Sequence, residues 1–86
     1  MAQIADILAE MRRNPKGIRF RDLCQVCDFY FGAPRQTGGS HRLYKTPLQG
    51  APRVSIQEHQ GMAKPYQVRQ VLKAIERLEA DRDTTE

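Results

Sequence analysis

The chain has 86 residues, a formal net charge of +4 and 40% hydrophobic residues. This length favours one small domain, whose limited core argues against a deep cofactor cavity or a cleft between domains. No stretch reaches membrane-spanning length, and charged residues interrupt the apolar residues of 1–13, which argues against a signal peptide. A cytoplasmic protein whose two cysteines are free thiols is therefore expected.

The positive charge is concentrated before the last eleven residues. Residues 1–75 carry twelve Lys or Arg and five Asp or Glu, whereas 76–86 are net acidic. Between Asp28 and Glu58 there is no acidic residue. A positive field without carboxylates attracts polyanions, of which phosphate backbones are the commonest in cells; the alternative is a basic surface that only favours solubility. The cations of this interval are Arg35, Arg42, Lys45 and Arg53.

Apolar periodicity predicts two helices in the first third of the chain. Residues from Ile4 to Met11 repeat at helical spacing, and Pro15 ends that helix. A second stripe predicts a helix over 20–31, with Gly32 as its C-terminal cap.

The segment 33–58 is rich in Gly, Pro and Thr and predicts three strands, at 35–38, 41–46 and 52–57, with a turn at 47–50. Residues 58–64 are predicted to form a polar loop. Pro65 begins a final amphipathic helix, and 81–86 are expected to be a disordered tail. This order predicts the α+β class, with a three-stranded antiparallel sheet packed on helices.

The last helix carries Arg69, Lys73 and Arg77 on the side opposite its apolar stripe. Like charges at a spacing of four residues repel each other by a few tenths of a kcal/mol. This spacing hints at an anionic partner, with a solvated face as the alternative.

Cys24-Gln-Val-Cys27 has the spacing of a metal or redox motif. A zinc site needs four ligands, and the two histidines, His41 and His59, lie too far apart in sequence to form the usual second pair. Both cysteines also fall on the apolar stripe of the second helix, where cysteine serves as a small hydrophobe. Core packing is the favoured interpretation, and no metal is expected.

His41 is the candidate catalytic residue. Alternation along the second strand places His41 with Lys45 on the solvated face if Tyr44 supplies the buried ring. Imidazole exchanges protons near neutral pH, and the RNA 2′-hydroxyl is a built-in nucleophile, so RNA cleavage needs no metal. On the residues alone, a surface or phosphate-contacting role for His41 stays open.

Three segments together resemble the HicA toxin family, the ribonucleases of bacterial type II toxin–antitoxin pairs. These are Gly39-Ser40-His41-Arg42-Leu43-Tyr44-Lys45-Thr46-Pro47, Arg53-Val54-Ser55-Ile56, and 67–75, Gln-Val-Arg-Gln-Val-Leu-Lys-Ala-Ile. The resemblance covers residues 20–78 and rests on their order and spacing.

The resemblance implies a fold like a double-stranded-RNA-binding domain, α-β-β-β-α, over 20–80, with 1–19 as a helical extension. It implies metal-independent cleavage of mRNA, without a cofactor, and inhibition by a cognate HicB-type antitoxin. The family's catalytic histidine maps onto His41, and its preceding glycine and serine onto Gly39 and Ser40. The expected RNA-binding residues are Gly39, Ser40, Arg42, Lys45, Arg35 and Arg53.

The sequence departs from the family pattern in three places. The N-terminal helix lies outside the minimal family domain, Arg42 stands where many members have a second histidine, and Tyr44 stands where phenylalanine is usual. The proton-donating partner of His41 is therefore open, with His59 as one option. The alternatives to a ribonuclease are a non-catalytic nucleic-acid-binding module, of double-stranded-RNA-binding or winged-helix type, and a protein-interaction adaptor.

Overall fold

A computed structural model describes residues 3–38, 41–45 and 53–84, with 35–38 and 81–84 described by their backbone. These residues form helices, two antiparallel sheets and a short 3₁₀ turn at Pro15–Gly17, which confirms the α+β class. The elements are α1 (Ile4–Arg13), α2 (Phe20–Phe31), β1 (Arg35–Gly38), β2 (His41–Tyr44), β3 (Val54–Ile56), β4 (Glu58–His59), β5 (Met62–Ala63) and α3 (Pro65–Thr84).

Helix α1 contributes to the same hydrophobic core as the rest of the chain. Its apolar stripe buries Ile7, Leu8 and Met11 against α2 and α3. The helix ends where the Asn14 amide donates to the Glu10 carbonyl at 2.7 Å, just before Pro15. Residues 3–19 therefore pack with the rest of the chain, although they lie outside the minimal domain of the family that the sequence resembles.

Helix α2 buries both cysteines. Cys24 is 6% exposed and Cys27 is fully buried, among Phe20, Leu23 and Val26. This placement confirms the core-packing interpretation of the Cys-Gln-Val-Cys motif. The helix stops at Gly32, whose φ of +87° is a conformation that side chains rarely adopt.

The order β1-β2-β3 makes one antiparallel sheet. Leu43 of β2 lies opposite Arg35 of β1 and Ser55 of β3, and a register shift falls between Gln36 and Gly38. Tyr44 lies opposite Val54, and both are buried in the core that the helices share. The helices thus pack on the Tyr44 face of the sheet.

A second antiparallel pair, β4 and β5, occupies the segment predicted as a polar loop, so that prediction was wrong. Gln60 and Gly61 have φ of +52° and +80°, as in the two-residue turns that close β-hairpins. Met62 also bridges Arg19, and the Ala63 amide donates to the Ile18 carbonyl at 2.9 Å. The hairpin is therefore held by pairing with the distant 18–19 segment.

Helix α3 buries Val68, Val71 and Ile75 against α1 and β3. Its backbone stays helical through Thr84, which differs from the disordered tail predicted from Asp81. The predicted turn at 47–50 and the chain ends lie outside the described residues. None of the described helices is both long enough and apolar enough to span a membrane.

Candidate functional site

The face of the sheet opposite the helices carries His41. Tyr44 is 0% exposed, which confirms the prediction that it supplies the buried ring of β2. Because side chains alternate along a strand, His41 and Leu43 lie on the other face, where both are half-buried. Strand β2 therefore presents a titratable group on the side of the sheet that the core does not use.

Ser55 of β3 is the hydrogen-bond partner of His41. The Ser55 Oγ contacts the His41 Nε2, and both side chains are half-buried. Ser55 lies directly opposite Leu43, so it is the diagonal neighbour of His41 across the strand pair, within side-chain reach. This contact restricts the imidazole to one orientation on the sheet.

The contact with Ser55 leaves the second ring nitrogen of His41 available. A serine hydroxyl can donate or accept, so either ring tautomer satisfies the contact. When Nε2 donates to Ser55, the Nδ1 lone pair is unprotonated and has no hydrogen-bond partner among the described residues. An imidazole in this state can accept a proton from a substrate hydroxyl.

Lys45 and Arg53 lie at the other end of the same strand pair. Both are exposed, and they flank the pair formed by Tyr44 and Val54. Lys45 follows His41 by four positions, a distance of about 13 Å along the extended chain. These two cations are therefore placed to contact phosphates that flank a group bound at His41.

Arg42 does not lie beside His41, although both were predicted to act on RNA. Its Cζ lies 6.0 Å from the centre of the Phe20 ring, on the helix side of the sheet. A hydrogen bond to Tyr44 raises the pKa of Arg42. Tyr44 in turn donates to Asp28 Oδ1 at 2.7 Å. Arg42 thus joins a network that ties β2 to α2, and alternation along the strand is what separates it from His41.

The structure describes only some of the other residues predicted to act on RNA. The backbone of Arg35 pairs with Leu43 in the sheet. Gly39 and Ser40 lie outside the described residues. His59 is exposed in β4.

The cysteines offer no reactive thiol. Burial raises the pKa of Cys24 and that of Cys27, so both thiols stay neutral and poorly nucleophilic at neutral pH. Among the residues that the structure describes, no group of three or more Cys, His, Asp or Glu side chains is arranged to hold a metal ion.

Comparisons with protein-family models, curated proteins and solved structures gave no match to this chain.

Proposed function

We propose that this chain is a HicA-like toxin, an endoribonuclease that cleaves mRNA with His41 as its general base. The observation that carries the proposal is the placement of His41, which is half-buried, held by Ser55 and directed away from the core. The order α2, β1, β2, β3, α3 supports a core like that of a double-stranded-RNA-binding domain. Helix α1 and the β4–β5 hairpin are additions to that core.

The reaction begins at the 2′-hydroxyl of the substrate. His41 Nδ1 accepts its proton while Nε2 remains bonded to Ser55. The 2′-oxygen attacks the adjacent phosphorus, and the bond to the 5′-oxygen breaks as that oxygen takes a proton from solvent. His59 is not given this role, because it is exposed in β4 and the hydrogen-bond partner of His41 is Ser55. The products are a 2′,3′-cyclic phosphate and a 5′-hydroxyl. The nucleophile belongs to the RNA, so its activation by His41 needs no metal.

Binding depends on the basic character of this face. Lys45 and Arg53 are exposed at the far end of the strand pair, with Lys45 about 13 Å along the chain from His41, where they attract phosphates next to the scissile one. The sequence between Asp28 and Glu58 has no carboxylate to repel the RNA. A cognate HicB-type antitoxin in the same cytoplasm would neutralise the enzyme.

The nucleophile is tested with purified protein and labelled RNA in EDTA. Cleavage should proceed with the metal chelated, and mass spectrometry should find cyclic phosphate ends. After the cleaved nucleotide is mapped, an RNA with a 2′-deoxyribose at that nucleotide should resist cleavage there. Continued cleavage of the deoxy substrate, or 3′-hydroxyl ends, would refute the mechanism.

The second candidate is a non-catalytic nucleic-acid-binding module. It is favoured by the distance between His41 and the two exposed cations, since no described cation lies beside the imidazole to stabilise a transition state. This alternative predicts that RNA is bound but stays intact. It also predicts that His41→Ala weakens binding slightly, whereas the ribonuclease proposal predicts loss of product.

A further inference from the structure

The outer face of α3 is a basic surface that the proposed site does not use. Val68, Val71 and Ile75 point into the core. The opposite side of the helix is exposed, and we name it the α3 basic surface. It consists of Tyr66, Arg69, Gln70, Lys73 and Arg77.

The three cations of the α3 basic surface form one row. At about 100° per residue, Arg69, Lys73 and Arg77 fall within an arc of about 80°, centred opposite the buried stripe. Successive members are about 6 Å apart along the helix axis, comparable to the separation of successive phosphates in a nucleic-acid strand. None of the three forms an ion pair with a described residue. Glu76 is also exposed and lies at the edge of the row, about 20° around the helix from Arg69. It forms no direct ion pair with the three cations, and the row keeps a positive charge.

An aromatic ring stands at the start of this row. Tyr66 is 53% exposed, one of two large hydrophobic residues exposed to this degree among those described. Its hydroxyl accepts a hydrogen bond from Gln67 Nε2 at 3.3 Å, and the Gln67 Oε1 accepts from the Gln57 amide at 2.8 Å. Gln67 is only 5% exposed. The ring is thus held at the surface by a buried side chain that is itself fixed to the end of β3.

The α3 basic surface faces away from His41. The buried side of α3 shares a core with Tyr44, Val54 and Ile56, which lie on the helix side of the sheet. The row of cations points outward from α3, and His41 lies on the far face of the sheet. A ligand on the α3 basic surface would therefore leave the His41 face free.

We propose that the α3 basic surface binds single-stranded RNA, with its cations on the phosphates and Tyr66 stacked on a base. Cations in a row with an exposed aromatic ring match the way proteins bind single strands without reading sequence. An acidic protein would also satisfy the charges, but the spacing of the row, which matches that of successive phosphates, favours a nucleic-acid strand. The inference goes beyond the proposed function, because RNA could bind here whether or not His41 cleaves it.

The test measures fluorescence anisotropy with a labelled 2′-O-methyl oligonucleotide of about twelve nucleotides, a length within the usual range of single-strand sites. This probe lacks the 2′-hydroxyl, so binding is separated from cleavage. The test protein is Arg69→Gln/Lys73→Gln/Arg77→Gln. The matched control, Arg12→Gln/Lys16→Gln/Arg21→Gln, removes the same charge from exposed residues elsewhere. Circular dichroism checks that each variant is folded.

The α3 variant should bind about tenfold or more weakly at low salt, and its slope of log affinity against log salt should fall by about 2, at roughly 0.7 per phosphate contact. The control variant should keep most of the affinity. Tyr66→Ala should lose about fivefold or more, and Tyr66→Phe should bind like the wild type. If the triple variant fails to fold, Lys73→Gln alone should lower the slope by about 0.7.

Three results would overturn the inference. The first is an equal loss of oligonucleotide affinity in both triple variants, which would mean that binding depends only on net charge. The second is no binding of the oligonucleotide by the wild type at low salt. The third is unchanged RNA affinity in the α3 variant with weaker binding of poly-glutamate, which would assign the surface to an acidic protein.

Discussion

Replacing Tyr44 by phenylalanine should destabilise the protein by removing the link between β2 and α2. The Tyr44 ring is fully buried, and its hydroxyl donates to Asp28 Oδ1 at 2.7 Å. A hydrogen bond to a charged group contributes about 1.5–3 kcal/mol. Because Asp28 is exposed, water competes for its carboxylate, and we expect a contribution at or just below the lower end of that range, about 1–2 kcal/mol.

Replacing Asp28, the acceptor of this hydrogen bond, has opposing effects on stability. Asp28→Ala leaves the buried Tyr44 hydroxyl without its acceptor, which costs about 1–3 kcal/mol. Arg42 cannot replace that acceptor, because a guanidinium only donates. However, alanine is the better helix former, and Asp28 lies in the last turn of α2, where a negative charge is unfavourable by about 0.3–1 kcal/mol. The single substitution can therefore look nearly neutral although the hydrogen bond is lost.

A double-mutant cycle separates these effects. Wild type, Tyr44→Phe, Asp28→Ala and the double variant are unfolded in urea at pH 7 and followed by circular dichroism. The Asp28 substitution changes the stability of helix α2 equally in the wild type and in Tyr44→Phe, so this effect cancels in the cycle. The cycle should give a coupling energy of about 1–2 kcal/mol. A coupling energy below about 0.3 kcal/mol, within the usual additivity error, would refute the proposed link.

Three further stability predictions can be checked by urea unfolding. Burial raises the pKa of Cys27 in the folded protein, so stability is retained below about pH 9, where the unfolded thiol begins to lose its proton, and falls above it. Above that pH, the free energy of unfolding should fall less steeply with pH in Cys27→Ala than in the wild type, by about 1.4 kcal/mol per pH unit. An unchanged slope would contradict the burial of Cys27. Gly32→Ala should cost about 1–2 kcal/mol because φ is +87°, and a neutral result would contradict that backbone conformation. Gln67→Ala should cost about 1–3 kcal/mol through the Gln57 amide, whereas the exposed Gln70→Ala should change stability by less than about 0.5 kcal/mol; equal effects would remove the role of Gln67.

The helices and the main sheet could be predicted because their patterns are local. Period 3.6 places α2 at the observed residues, and period 2 assigns Tyr44 to the core face. The β4–β5 hairpin could not be predicted in the same way. Its turn is Gln60-Gly61 instead of the common Asn-Gly or Asp-Gly, and it also depends on pairing with Arg19, far away in sequence.

In the candidate site, single residues could be predicted from the sequence, but the contacts between them could not. His41 could be singled out from its signature and its alternation along β2. Ser55 was missed as its partner, because the register of β2 and β3 sets that contact and no local pattern encodes it. Arg42 is predicted to bind RNA as a cation of the acid-free interval. Its position over the Phe20 ring depends on how α2 packs on the sheet, which no local pattern encodes.

The proposed ribonuclease activity depends on the chemical action of His41 on RNA. The most direct measurement is the single-turnover cleavage rate of labelled RNA by wild type, His41→Ala and, as the control, His59→Ala. Loss of a general base should slow cleavage by about 10²–10⁴-fold. We expect this loss in His41→Ala and a rate near that of the wild type in His59→Ala. Cleavage at the wild-type rate by folded His41→Ala would contradict it.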